Sequence, residues 1–181
     1  TQDLVLDVPA DMSVKVFDIP EIQDLTSTYF IRLKLCDHLG KMISSNFYWL
    51  STKPDILDWS KSEWYYTPTQ SHADLTGLQA LPRIQLQVTS ATERKGEENF
   101  TRVKVMNPTA HLALFVRLRI TRGQGDEEVL PVLWEDNYLT LMPGEKRDIT
   151  ATYESASLQH AMPSVAVDGW NIEKRSCASR Y

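Results

Sequence analysis

The stretch Leu112-Ala113-Leu114-Phe115-Val116-Arg117-Leu118-Arg119-Ile120-Thr121 decides the fold class. Apolar side chains alternate with Arg117 and Arg119 in its second half, and this period of two indicates a β-strand with one face toward a core. A strand buried on both faces would not tolerate two arginines. We therefore expect an antiparallel sheet that is open to solvent on one side.

Similar short runs lie on both sides of this strand, separated by turn sequences about every 8–12 residues, which is typical of an immunoglobulin-like β-sandwich. The predicted strands are Ile84–Ser90, Phe100–Met106, Leu112–Thr121, Val129–Trp134, Tyr138–Leu141, Arg147–Tyr153 and Ser164–Trp170. The side chains predicted to form the core are Ile84, Leu86, Val88, Val103, Val105, Leu114, Val116, Leu118, Ile120, Ile149, Ala151, Val165 and Val167.

The first half of the chain is less regular. Short strands are predicted at Leu4–Val8 and Val14–Phe17, and a β-hairpin is predicted from Tyr29–Cys36 and Met42–Leu50. Residues 52–82 keep no period and hold several aromatic side chains, with one helical turn expected around Ser71–Leu78. We expect this aromatic-rich stretch to be a linker laid against protein surface.

Composition excludes several classes of protein. The 181 residues are 42% hydrophobic and 24% charged, as in ordinary soluble domains, and the formal net charge is -5. A basic footprint is missing, so we expect neither a nucleic acid nor a membrane as partner. The longest unbroken apolar run, Leu112 to Val116, is too short to span a bilayer.

The residue types that carry chemistry are scattered. Cys36 and Cys177 are too few for a disulfide framework or a thiolate metal site, the four histidines stand apart, and most acidic residues lie in turns. We predict no catalytic residue, no metal site and no cofactor. Asn99-Phe100-Thr101 is a glycosylation sequon, which is compatible with an exposed turn.

Two aromatic segments are candidate sites. Trp134, Asp136, Asn137 and Tyr138 are the residue types that stack on a sugar and bond its hydroxyls, and equally those of a core tryptophan followed by an Asx turn. Trp59 and Trp64 belong to a second aromatic segment, which could form a sugar platform or contact a neighbouring domain. Both interpretations of each segment stay open at this point.

Five motifs follow one another along the chain. They are Asn46-Phe47-Tyr48-Trp49-Leu50-Ser51, Tyr66-Thr67-Pro68 with Ala73-Asp74-Leu75, Leu130-Pro131-Val132-Leu133-Trp134-Glu135-Asp136-Asn137-Tyr138, Leu141-Met142-Pro143-Gly144-Glu145 and Gly169-Trp170-Asn171. In this order they resemble the C-terminal region of glycoside hydrolase family 2 enzymes. The nearest subgroup is the exo-β-D-glucosaminidases, followed by the mannosylglycoprotein endo-β-mannosidases.

In that family, a jelly-roll domain, an immunoglobulin-like domain and a catalytic (β/α)8 barrel precede two further immunoglobulin-like domains. The resemblance implies that residues 1–51 are the later strands of the fourth domain and that the fifth domain begins at residue 83. Residues 52–82 are then the linker, and we end the fifth domain at residue 173 because residues 174–181, a tail, carry no family pattern. The family's catalytic acids lie in the barrel, which nothing here matches, so no catalytic residue is carried over. The barrel is the implied partner, and a secreted or periplasmic location is implied.

Together these features predict a non-catalytic β-sandwich region that supports the barrel of an enzyme acting on β-linked glucosamine in chitosan oligomers. Three alternatives remain. The first is a carbohydrate-binding module that holds an oligosaccharide at Trp134, Asp136, Asn137 and Tyr138. The second is a parent enzyme of the β-mannosidase type. The third is a protein-interaction sandwich unrelated to sugars, which the fold alone would permit.

Overall fold

The computed structural model describes residues 2–180, and its regular secondary structure is mostly antiparallel strands, as predicted. The strands are Thr28–Cys36 (β1), Met42–Ser51 (β2), Ile56–Leu57 (β3), Thr69–Ser71 (β4), Gln87–Lys95 (β5), Glu98–Met106 (β6), Ala113–Arg122 (β7), Leu133–Trp134 (β8), Leu139–Leu141 (β9), Lys146–Glu154 (β10), Pro163–Asp168 (β11) and Arg175–Ala178 (β12). Short 3-10 helices are formed by Trp59–Lys61, Thr76–Ala80 and Ser155–Leu158.

The chain divides into two compact units. The first contains the residues up to Ile31 together with Tyr48–Leu75, and the second contains Arg32–Phe47 together with the residues from Thr76 onward. In the first unit, β3 pairs with β4, and the base of the hairpin β1–β2 is joined to the next residues by the bond from the Thr52 N–H to the Ser27 carbonyl.

The second unit contains the predicted immunoglobulin-like sandwich. One sheet has the strand order β5-β6-β10-β8 and the other has the order β12-β11-β7-β9. Strands β5 and β6 pair from Gln87–Met106 to Lys95–Glu98, which leaves only Gly96 and Glu97 in the turn. Gly96 has a φ of 63°, a conformation that glycine adopts without the clash that a Cβ would cause.

The core lies between these two sheets and follows the predicted alternation along most strands. Every residue of the predicted core face is in the buried cluster except Val88, which packs against it half-buried, and Leu114. The buried cluster also includes residues that were not predicted: Ala113, Val129, Leu139, Leu141, Tyr153, Leu158 and Ile172.

Leu114 is the one clear error in the predicted core face. The pairing of β7 with β9 shifts between Ala113 and Val116, and Phe115 has a φ of 53°. This bulge reverses the inward and outward alternation, so Ala113 takes the place in the core cluster that was predicted for Leu114. Leu114 is fully buried elsewhere, beside Trp170 and Asn171, which hydrogen-bond its backbone.

The first part of the chain has fewer strands than predicted. The hairpin is confirmed as β1–β2, but Leu4–Val8 and Val14–Phe17 form no strand. Their alternating apolar side chains are mostly exposed, because no neighbouring strand pairs with them among the described residues. The helical turn expected around Ser71–Leu78 is a 3-10 helix shifted to Thr76–Ala80.

The end of the chain also differs from its prediction as a tail. Residues of β12 pair with β11 from Ser164–Ala178 to Val167–Arg175, so this segment is an edge strand of the sandwich. Beyond it, the backbone of Arg180 bonds the backbones of Ser90 and Thr92 on β5. The sandwich therefore extends past the predicted limit at residue 173.

The glycosylation sequon does not lie in an exposed turn. Asn99 is the second residue of β6, points into the sandwich and is only 1% exposed. Its partner across the sheet is Tyr153, which is also buried. The exposed turn with which the sequon is compatible is therefore not what the structure shows at Asn99.

Candidate functional site

Trp134 lies at the edge of the sandwich in β8. Its backbone is paired with Ala151 of β10, and its half-buried side chain packs against the core cluster. The next residue, Glu135, continues the contact with β10, because its N–H donates to the carbonyl of Thr150 and its carboxylate accepts from the Thr150 N–H. The ring of Trp134 is thus placed as a core side chain at an edge strand.

Asn137 bonds the backbone of Leu118, which lies on the neighbouring strand β7. The Leu118 N–H donates to Asn137 Oδ1 at 2.9 Å, and Asn137 Nδ2 donates to the Leu118 carbonyl at 2.9 Å. The same Oδ1 accepts from the N–H of Tyr138. The carboxamide thus makes the two backbone bonds that a neighbouring strand would make to Leu118. Both its oxygen and its nitrogen are hydrogen-bonded within the protein.

The two flanking side chains are more exposed. Asp136 accepts from Arg147 at 2.7 Å through Oδ2, and its Oδ1 accepts from the N–H of the adjacent residue Asn137. An Asx turn would bond the N–H two residues on, so this bond is not the predicted Asx turn. Tyr138 is 59% exposed and has a φ of 55°. The structure therefore brings the four predicted residues together on one edge, with Tyr138 as the most accessible ring.

Trp59 and Trp64 lie in the first unit, whereas the segment from Trp134 to Tyr138 lies in the second. Trp59 begins a 3-10 helix and is 72% exposed, and Trp64 is 94% exposed. The ring of Tyr65 meets that of Trp64 edge-on, with 4.9 Å between centroids. This group is an exposed aromatic surface, and we refer to Trp59, Trp64, Tyr65 and Tyr66 as the aromatic surface.

The motif Gly169-Trp170-Asn171 fastens the residues before β5 to the sandwich. Trp170 Nε1 donates to the carbonyl of Leu78 at 2.7 Å, and Asn171 Nδ2 donates to the carbonyls of Pro82 and Leu112. Gly169 is required by close packing, because a Cβ built on it would lie 2.7 Å from the carbonyl oxygen of Phe115.

Asn107 plays a comparable part at the same end of β7, just before the strand begins. Its Nδ2 donates to the carbonyls of His111, Leu141 and Met142, and its Oδ1 accepts from the backbone and hydroxyl of Thr109. No pattern in the sequence predicts a structural role for Asn107. Its only signal was the turn sequence Asn107-Pro108-Thr109, which gives no hint of the distant partners.

The predicted solvent-open face of β7 carries an ion cluster that sequence analysis missed. Asp168 on β11 accepts two bonds from Arg117, at 2.8 and 2.9 Å, and one from Arg119 at 3.1 Å. Arg119 is only 7% exposed, so the expectation of a solvated face is wrong there. Asp126 and Glu128 from the loop after β7 lie within 4.0 Å of the same guanidinium group.

These ion pairs set the protonation of the cluster. Hydrogen bonds from Arg117 hold the pKa of Asp168 below its ordinary value although burial opposes this, and Asp168 in turn raises the pKa of Arg117. Lys174 lowers the pKa of Asp126 in the same way. A general acid would need a raised carboxyl pKa, so this pattern indicates structural ion pairs.

Glu145, in the turn before β10, binds the hairpin residue Arg32. Both carboxylate oxygens accept from the guanidinium group, at 2.8 and 2.5 Å, and one also accepts from the N–H of Met142. Burial alone would raise the pKa of Glu145, but the bonds from Arg32 and Met142 outweigh it and lower the pKa. The conformation of this turn is thus coupled to a residue 113 positions away in sequence.

Within residues 2–180, no group of three or more His, Cys, Asp or Glu side chains is arranged to hold a metal ion. Cys36 is exposed and Cys177 is half-buried, and both are free thiols. Burial raises the pKa of Cys177, which makes this thiol less reactive. None of the helices in this part of the chain has the length and apolar character needed to cross a membrane.

The architecture and its bonded motifs define an immunoglobulin-like β-sandwich closed by side-chain-to-backbone bonds. The model of the exo-β-D-glucosaminidase Ig-fold domain matches residues 64–172, and the chain belongs to this family.

Individual relatives agree with this assignment. The chain is 41% identical over 158 residues to an exo-β-D-glucosaminidase of Streptomyces avermitilis, covering 86% of this chain and 17% of the relative. A mannosylglycoprotein endo-β-mannosidase of Lilium longiflorum is 23% identical over 161 residues, covering 85% and 14%. The crystal structure of the exo-chitosanase CsxA of Amycolatopsis orientalis superimposes with a TM-score of 0.84 at 36% identity, covering 89% and 19%. The chain therefore spans less than a fifth of the length of these proteins.

Proposed function

We propose that the chain is the non-catalytic C-terminal β-sandwich region of a secreted or periplasmic exo-β-D-glucosaminidase, whose (β/α)8 barrel releases β-linked glucosamine from chitosan oligomers. The observation that carries this proposal is that polar residues of the family motifs form hydrogen bonds with the backbone of the sandwich. Asn137, Glu145 and Asn171 each bond backbone groups of the sandwich, so the motif residues support the fold. The identity of 41% to a glucosaminidase, against 23% to a mannosidase, favours the first kind of parent enzyme.

The first fifty-one residues enter this proposal as the later strands of a second sandwich. Leu35 and Ile43 of the hairpin β1–β2 are 54% and 63% exposed, and an isolated two-stranded hairpin is only marginally stable in water. Leu4, Leu6 and Val8 alternate like one face of a strand and are also exposed. Such side chains suit strands whose partners are supplied by another part of the enzyme.

The aromatic surface is proposed to contact the catalytic barrel. Its four rings are 58–94% exposed, and large exposed apolar groups of this kind are typical of a surface that binds a partner. Aromatic side chains supply much of the energy of an interface when they are buried at its centre. Trp59 and Trp64 are therefore the residues from which we expect the largest contribution.

The test compares the double variant Trp59→Ala/Trp64→Ala in two settings. In the isolated chain both indoles are largely in water, so the variant should unfold within about 0.5 kcal/mol of the wild type. In the full-length enzyme it should lower the free energy of unfolding by about 2 kcal/mol or more, because two anchor residues are lost from an interface. Leu133→Ala is the matched control, since Leu133 is 74% exposed but lies outside the aromatic surface.

Equal stability of the variant and wild-type full-length enzymes would reject the interface. A second outcome separates the carbohydrate-binding alternative: if the isolated chain binds glucosamine oligomers and the double variant does not, the aromatic surface is a sugar platform. For the segment from Trp134 to Tyr138, the same titration with Trp134→Ala distinguishes a binding module from a structural edge.

A further inference from the structure

The Asn99 carboxamide differs from those of the other buried asparagines in having no hydrogen-bond partner within residues 2–180. Asn107 and Asn171 are at most 2% exposed and bond backbone groups through both ends of their carboxamides. Asn99 is 1% exposed, and neither its Oδ1 nor its Nδ2 has a hydrogen-bond partner among the described residues. More than about 90% of buried polar groups in folded proteins are bonded either to protein or to an ordered water molecule.

Ser155, at the same end of the sandwich, also has a buried polar atom without a hydrogen-bond partner among the described residues. Tyr153 lies directly opposite Asn99 across the β6–β10 pairing, and Ser155 follows two residues later. The Ser155 N–H donates to the carbonyl of Glu97 at 2.8 Å, which holds Ser155 beside the start of β6. Its Oγ is buried and, within the described part of the chain, also lacks a hydrogen-bond partner.

The surrounding core is polar at this end. The Tyr153 hydroxyl and Thr101 Oγ1 are 2.9 Å apart, Thr101 and Thr92 are joined at 2.7 Å, and Thr92 and Ser179 at 2.8 Å. All four side chains are at most 5% exposed. Polar surroundings of this kind retain internal water, whereas apolar cavities stay dry.

We propose that Asn99 and Ser155 form a binding site for one internal water molecule at this end of the sandwich. The water accepts a bond from Asn99 Nδ2, donates one to Asn99 Oδ1 and shares a third with Ser155 Oγ. Three bonds are typical of a buried water. The bound water would explain why a polar side chain occupies this buried position of β6. Neither the glycosylation sequon nor the strand pattern indicates such a water.

The test counts long-lived water molecules in the whole chain by oxygen-17 magnetic relaxation dispersion. Asn99→Leu has a similar volume and no polar atoms, and it should lose one long-lived water relative to the wild type. Ser90→Ala is the matched control: it removes a buried polar group beside Cys177, outside the proposed site, and should lose none. A folded Asn99→Leu with an unchanged water count would overturn the proposal.

A crystal structure of the wild type gives an independent readout. It should show a density peak within hydrogen-bond distance of both Asn99 and Ser155, and a structure at high resolution without this peak would also overturn the proposal. If Asn99→Leu fails to fold, Ser155→Ala replaces it. Removing one of three partners should shorten the residence time of the water at least several-fold, and an unchanged residence time would count against the site.

Discussion

Replacing Asn137 with Ala is expected to destabilise the sandwich by about 2–4 kcal/mol. The change removes the carboxamide that bonds both the N–H and the carbonyl of Leu118, each at 2.9 Å. Leu118 is 1% exposed, so these two groups lose their partners where water reaches them poorly. An orphaned buried polar group costs about 1–3 kcal/mol, and the lower part of the summed range applies because the bonds lie at a sheet edge.

The assay is urea unfolding of the whole chain, combined with hydrogen exchange at the amide of Leu118. Because each 1.4 kcal/mol corresponds to a factor of ten, a local loss of 2–4 kcal/mol should speed exchange at this amide by roughly 30- to 1000-fold. Asn137→Asp keeps the acceptor but not the donor and should fall between the wild type and Asn137→Ala. Asp136→Ala removes only an exposed ion pair and should change stability by less than about 1 kcal/mol. The reasoning would be refuted if Asn137→Ala changed the free energy of unfolding by less than about 0.5 kcal/mol and left the exchange rate of the Leu118 amide unchanged.

Three further changes probe other parts of the sandwich. Leu118→Ala should lower the free energy of unfolding by about 2–5 kcal/mol, because the side chain is enclosed in the core, and a value below 1 kcal/mol would mean that its face of β7 is misplaced. Gly169→Ala should be destabilising by about 1–3 kcal/mol through its clash, whereas Gly125→Ala, with 3.7 Å to its nearest neighbour, should be nearly neutral in thermal melts. Glu145 has a folded pKa below its unfolded value, so its stabilising effect should be present above about pH 4.3 and be lost as the pH falls through the folded pKa. Arg32→Gln should remove most of this pH dependence, and an identical profile in that variant would contradict the pairing.

The sandwich itself could be predicted from the sequence because its core strands are local patterns. The alternation of Val116, Leu118 and Ile120 predicts which face of β7 is buried, and this prediction needs no knowledge of the partner strand. The same reasoning failed at Leu114, because a bulge with a positive φ at Phe115 has no sequence signal when the residue is not glycine. It also failed at Leu4–Val8, where the side chains alternate but no strand within residues 2–180 pairs with them.

The electrostatic and polar contacts could not be predicted because they join distant residues. Alternation places Arg119 on the outer face of β7, but its partner Asp168 lies 49 positions away on the adjacent strand. The segment around Asn137 contains the residue types of a sugar site, and only the structure shows that the backbone of Leu118 binds the carboxamide. Residue types alone therefore left both interpretations of this segment open.

A fluorescence titration of the isolated chain with glucosamine oligomers tests most directly whether this region supports the enzyme or binds its substrate. Trp134 is packed against the core, so its emission should not respond to sugar, and no saturable change is expected at millimolar oligomer. Saturable binding that disappears in Trp134→Ala would contradict the structural role of this segment and establish a carbohydrate-binding module.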